Sequence, residues 1–375
     1  MTAPSTAFAV SQFTARTRVV SGLGSIDLLA GELARLGVER VAVVADAGVA
    51  QAGLLDQVVA DVPGIAWTGT VEINPDAAAC EDAATAARAA GCDGVLAVGG
   101  GSALGLGKAV AIRLANDGSI LDFQGEGRVP LPPYPLVAVP TTAGSGSEVS
   151  NALVLHEPGR VREIIVRGAG CEPDVAVLDG RVLRDLPREP MLYAALDALS
   201  HACEALWAVR RSVLSDGLAE KAIRTIIEIL PVALDARDDA ALQRMLEAST
   251  AANLACGNTG LGLIHALSSA PAVRLPHGYQ NGAMLLAVAD FNAPVLDPEH
   301  RKLIAGLPDL FERVAWPGRF ADGDLNCAAI RAMVSASTGH PFRTNNARPS
   351  TDRQLHQVLV ASGPAPASNA RGVGS

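Results

Sequence analysis

Residues 94–115 read GVLAVGGGSALGLGKAVAIRLA. The opening GVLAVGG is small, apolar and uncharged, and reads as a strand buried on both faces. Gly99, Gly100, Gly101 and Ser102 then turn the chain into a helical pattern that carries Lys108. Glycines let backbone N–H groups approach a phosphate closely, and the helix that follows adds partial positive charge. GGGS turns are common, so the place of this one, between a buried strand and a helix, makes it a candidate phosphate cradle. It is not the G-x-G-x-x-G fingerprint, and it stands at the fourth or fifth element rather than the first.

Outward from this stretch the same alternation repeats. Upstream come an edge strand in TRVVSGLGS (17–25), a helix (26–38), a buried strand ending at Asp46, a helix (51–62), a strand from Trp67 to Ile73 and a helix (77–91). Downstream, PLVAVPTTAGSGSEVSN (135–151) joins a strand to a loop with Thr141, Thr142, Ser145 and Ser147, and VAVLD ends a last strand at Asp179. Strands alternating with helices of this length indicate a parallel, doubly wound, Rossmann-like sheet. Ligands of such sheets sit at the carboxyl ends of the strands. The hydroxyls of the second loop are therefore candidate donors to a pyrophosphate or ribose. Asp46 reads in two ways. It accepts from both ribose hydroxyls of an adenosine and disfavours a 2′-phosphate, hence NAD over NADP, or it caps a helix.

After Pro187 and Pro190 the texture changes to long helical patterns at 191–209, 215–234, 239–256, 285–296, 327–337 and 350–362. The reading is two domains, an α/β domain over 1–187 and a helical domain over 188–375. Residues from about Gly363 read as a frayed tail, and no internal repeat is found.

The chain has 375 residues, 49% hydrophobic and 18% charged, enough for a large core and unlike a disordered chain. A net charge of −9 without a long basic run gives no footprint for nucleic acid. No apolar run approaches a membrane span. The six cysteines are scattered without C-x-x-C, as expected of reduced thiols in a cytoplasmic protein.

The helical half carries the second chemistry. In LDALSHACEALWA, Asp197 and His201 are four apart and share one helical face. His265 and His277 follow in GLGLIHALSSAPAVRLPHGYQN. One carboxylate and three imidazoles suit a divalent metal of the Fe2+ or Zn2+ kind, while any one buried histidine is more often a hydrogen-bonded core residue. His265 and His277 are also the candidate catalytic residues. Glu204 lies on roughly the same face as Asp197. It reads as a partner orienting a ligand or as a helix salt bridge.

Taken together, GGGSALGLGKAVAI, VPTTAGSGSEVSN, DALSHACEA and GLGLIHALSSAPAVRLPHGYQN resemble the iron-containing (group III) alcohol dehydrogenases over most of the chain. The resemblance implies a dinucleotide domain and an all-helical domain of the dehydroquinate synthase-like architecture, with the active site between them. It implies NAD(P)-dependent interconversion of an alcohol with an aldehyde or ketone, and a homodimer. It sets Asp197, His201, His265 and His277 at the metal, Gly99–Ser102 and Thr141–Thr142 at the cofactor, and Asp46 at the position favouring NAD. The sequence departs from the pattern at three places. Gly105 replaces the usual Asp, as in maleylacetate reductases. Ser269 replaces a further His, in a segment two residues shorter. Glu163 or Arg162 stands where a basic residue is usual. A reductase of carboxylated carbonyls is thus an alternative. A dehydroquinate synthase-like cyclase would need a Lys/Arg cluster beside the metal, which the helical half lacks. A non-catalytic nucleotide-binding protein is the third reading.

Overall fold

The structure, a computed structural model, describes residues 10–156, 163–270 and 273–364. Among the described residues nine strands are formed: β1 (Arg18–Ser21), β2 (Val41–Asp46), β3 (Ile65–Val71), β4 (Gly94–Gly99), β5 (Gly125–Glu126), β6 (Leu136–Pro140), β7 (Ala152–Leu155), β8 (Ile164–Arg167) and β9 (Val175–Leu178). Six of them make one sheet in the order β1-β9-β6-β4-β2-β3, parallel throughout. The uncharged runs of β4, β6 and β9 are buried along their whole length, as strands covered on both faces must be. The doubly wound reading is borne out.

Register brings the chemistry-bearing loops together. Gly99 at the end of β4 pairs with Pro140 at the end of β6, so the glycine turn and the 141–147 loop leave the sheet side by side. The helix Gly101–Ala115 starts from the first of them.

Some elements differ in extent from their expectation. The pattern over 51–62 is split into Ala47–Gln51 and Leu54–Val59, because Gly53 takes φ 72°, a left-handed conformation that ends a helix turn. The third strand runs two residues earlier than expected. A second sheet, β5-β8-β7, was not foreseen. Its β7 and β8 form an antiparallel pair in which Leu155 faces Ile164. From the helix Arg188–Leu206 onward the named elements are helices, including Val213–Asp235, Asp239–Thr259, Leu263–Ser268 and His277–Asn292. The last of these starts well before the pattern at 285. All six cysteines are free, and five are buried. Among the described residues no helix is long and apolar enough to cross a membrane. The expected frayed tail, from residue 365 on, lies outside the described residues.

Candidate active site

Asp197 and His201 lie on one face of Arg188–Leu206, both 7% exposed. The helix His277–Asn292 is pressed against that helix through its glycines. A Cβ at Gly278 would meet the Tyr193 carbonyl oxygen at 2.0 Å, and one at Gly282 would meet Leu196 Cδ1 at 2.6 Å. Only glycine allows this approach, and it brings His277 to Asp197. The short helix Leu263–Ser268 supplies His265, 4% exposed.

The four predicted ligands converge. Asp197 Oδ1 lies 3.9 Å from His201 Nε2 and 3.6 Å from the Nε2 atoms of both His265 and His277. Tetrahedral ligands at Zn–N distances would stand about 3.4 Å apart; the ligand atoms of Asp197, His201 and His265 all lie within 4.8 Å of one another, and His277 joins them through Asp197. The His201 and His265 rings stack at 4.7 Å with 12° between planes. His277 alone is open, with its side chain 53% exposed toward the cleft.

Glu204 holds His265, one of the candidate ligands. Fully buried, it accepts from the backbone N–H of Gly262 (2.8 Å) and Ile264 (2.6 Å) and holds His265 Nδ1 at 2.7 Å. That contact turns His265 Nε2 toward Asp197. Gly262 is needed beside it, since a Cβ there would stand 3.0 Å from Glu204 Oε1.

Asn281 was not singled out from the sequence, although it lies one helical turn after His277. Its Nδ2 is 2.8 Å from Asp197 Oδ1, 3.1 Å from His265 Nε2 and 3.0 Å from His277 Nε2. One NH2 group cannot bond all three at once. Burial works to raise Asp197, yet the imidazoles of His201, His277 and His265 hold it well below the usual carboxylate range. Burial works to lower His265, but Glu204 and Asp197 outweigh it and push it up to about 9. Burial takes His201 down to about 4.

The candidate cofactor cradle lies at the carboxyl ends of β4 and β6. Gly99, at φ 153°, has no room for a side chain, because a Cβ would meet Ala103 Cβ at 2.6 Å and Asp46 Cβ at 2.8 Å. A Cβ on Gly100 would meet Thr142 Oγ1 at 3.4 Å, and one on Gly101 would meet Ser145 Oγ at 2.9 Å. The two loops therefore form one surface. Thr142 and Ser145 keep some exposure, whereas Thr141 and Ser147 are buried at 4% and 7%. Ser102 Oγ accepts from the Asn74 backbone N–H at 3.1 Å. Asp46 caps the next helix through Gly48 N–H at 2.8 Å, so its capping reading holds, and it also borders Gly99.

The sequence departures have structural settings. A Cβ on Gly105 would have only the Val154 carbonyl within 4 Å, at 3.8 Å. Ser269 Oγ donates to Ala266 O at 3.1 Å, within its own helical turn. Glu163 pairs with His156 Nε2 at 3.1 Å; Arg162 lies outside the described residues.

A parallel sheet of this order, beside a carboxylate and three imidazoles on packed helices, is the arrangement of a two-half enzyme with a candidate metal set in the helical half. Comparison with known proteins agrees. The family model for iron-containing alcohol dehydrogenase matches residues 16–180, and that for the C-terminal part of the Fe-containing alcohol dehydrogenase family matches 191–307. The chain is 32% identical to the protein named probable alcohol dehydrogenase EutG of Salmonella typhimurium, covering 94% of this chain and 95% of that one. It superposes with a TM-score of 0.87 on sulfoacetaldehyde reductase from Bifidobacterium kashiwanohense in complex with NAD+, at 25% identity over 96% of this chain and 100% of that one. Maleylacetate reductase from Agrobacterium tumefaciens gives 0.79 at 26% identity, over 94% and 97%. The chain belongs to the iron-containing alcohol dehydrogenase family and is an oxidoreductase of that type.

Proposed function

We propose that this chain interconverts a small alcohol with its aldehyde or ketone, using NAD(H) and a divalent metal held by Asp197, His201, His265 and His277. The observation that carries the reading is the set of three imidazole Nε2 atoms around Asp197 Oδ1, with His265 fixed from behind by Glu204. When bound, Fe2+ or Zn2+ supplies Lewis acidity toward the substrate oxygen, and the nicotinamide carries the hydride. The residues do the rest. Glu204 sets the His265 tautomer. Asn281 donates to Asp197 and keeps that oxygen facing the imidazoles. Gly99–Ser102, Thr142 and Ser145 cradle the cofactor phosphates. Asp46 borders that cradle and favours NAD over NADP. Ser269 is turned into its own helix, so the alcohol proton leaves through water or a ribose hydroxyl.

The division at 187/188, the cytoplasmic location and the homodimer belong to the same reading. A second reading, reduction of a carboxylated carbonyl, draws on Gly105 and the open space beside it.

The test is to load the purified chain with Fe2+ or Zn2+ and follow NADH absorbance against alcohols, aldehydes and keto acids. Turnover is expected with a neutral alcohol or aldehyde. No turnover with any substrate, together with no NADH binding, would sink the proposal. Preference for keto acids would select the second reading. Asp46→Ala should relax discrimination against NADPH, and an unchanged NADH/NADPH ratio would leave Asp46 a helix cap only.

A further inference from the structure

Three of the four ligand side chains are held by packing, with Asp197, His201 and His265 at 9%, 9% and 5% exposure; His277 is at 53%. Packing therefore does not fix its ring. His277 is the first residue of its helix, and Pro276 before it offers no side-chain cap. Its backbone direction is set by the loop that delivers it, which is the segment the sequence marks as short.

One side chain spans that loop. Gln280, 4% exposed, sends Nε2 back to the carbonyls of Leu275 (2.8 Å) and Val273 (3.4 Å). Its own backbone N–H donates to Pro276 O at 3.1 Å. One residue thus binds the carbonyls of Val273, Leu275 and Pro276, immediately ahead of His277. Buried carbonyls without a donor are costly, so the loop keeps its path only while the amide is there. On the other side, Gly278 against Tyr193 leaves the helix no room to shift.

We infer that Gln280 is a positioning residue for the metal site. It clamps the 273–276 loop so that His277, the most exposed of the four side chains, points its Nε2 at Asp197. The inference rests on the metal reading above and adds to it a residue that touches neither ligand nor substrate.

The test measures Zn2+ affinity by competition with a chromogenic chelator, and coordination by the visible d–d absorption of Co2+. The variants are Gln280→Met, which keeps the volume and removes both donors, Gln280→Ala, which leaves room for water at the carbonyls, His277→Ala, and Gln280→Met combined with His277→Ala. Each Gln280 variant should bind Zn2+ on the order of 10–100-fold more weakly, the range for residues that orient ligands, with an altered Co2+ spectrum. The double variant should bind no more weakly than His277→Ala alone, because both changes remove one ligand. Wild-type affinity in the Gln280 variants, or losses that add in the double variant, would overturn the inference. If Gln280→Met fails to fold, Gln280→Ala decides by the same criteria. Absence of stoichiometric Zn2+ from the unaltered chain would be a different failure, that of the metal reading itself.

Discussion

Glu204 shows how much one buried carboxylate organises. It receives two backbone N–H groups and one imidazole nitrogen, and all three bonds fix the entry and orientation of His265. In Glu204→Gln the new NH2 would face donors, leaving one unsatisfied at a cost of about 1–3 kcal/mol. The variant should melt at lower temperature and hold Zn2+ at least tenfold less tightly, measured by calorimetry and equilibrium dialysis. The raised His265 sets the pH dependence. Metal and proton compete for its Nε2, and in the metal-free chain the proton stays until about pH 9. Apparent affinity should therefore rise with pH from neutral toward 9, by up to about tenfold per unit for one displaced proton, and proton release should register in titrations run in buffers of different ionisation heat. A pH-independent affinity over that range would contradict the assignment. The four candidate ligands were legible in the sequence because i, i+4 spacing and ligand chemistry are local properties. It left Glu204 between two readings and passed over Asn281 and Gln280. Amides carry no chemical signature, although Asn281 sits at the same four-residue spacing from His277 as His201 from Asp197.

At the level of elements, the approach of two helices decides whether a site exists. Gly278→Ala would drive a methyl into the Tyr193 carbonyl and should separate Arg188–Leu206 from His277–Asn292. Overpacking of this kind costs typically 1–3 kcal/mol, and the metal should be lost with it. Gly31 is the matched control, in the helix Leu29–Arg35 with nothing within 4 Å of an added Cβ. Gly31→Ala should leave metal content unchanged and stabilise by up to about 1 kcal/mol, read from denaturant unfolding. Lys108 belongs to this scale too. Buried in the helix after the glycine turn, it donates to Ser150 O, Ser150 Oγ and Ala152 O at 2.8, 3.0 and 2.8 Å, and so anchors the start of β7. The central strands β4, β6 and β9 were legible because each is an uncharged apolar run. The pair β7 and β8 was not, because each is only four residues long and Val154 in β7 faces outward.

Across the whole molecule, the two halves are joined along one helix. On Asp239–Thr259, the Gln243 amide receives Gly180 N–H at 2.7 Å and donates to Leu178 O at 3.0 Å. Glu247 accepts from Ser21 Oγ at 2.6 Å, and Thr250 donates to Glu148 at 2.9 Å. Asn253 donates to Gly144 O at 2.8 Å, and a Cβ on Gly146 would fall 1.9 Å from its side chain. Asn253→Ala should loosen this seam, weakening NADH binding through the Thr142–Ser145 loop while leaving Zn2+ affinity unchanged. Parallel changes in both would show that the seam supports the metal helices as well. No periodicity in the sequence announces such a seam, since its partners lie between 63 and 226 residues apart. The seam also gives the molecule a spine, like that of a book. Its bonds end on the carboxyl edge of the sheet, so the covers cannot part there without exposing Glu148 and Asn253. Of the four candidate ligands His277 is the one that meets solvent, so traffic of substrate and product should pass by that histidine.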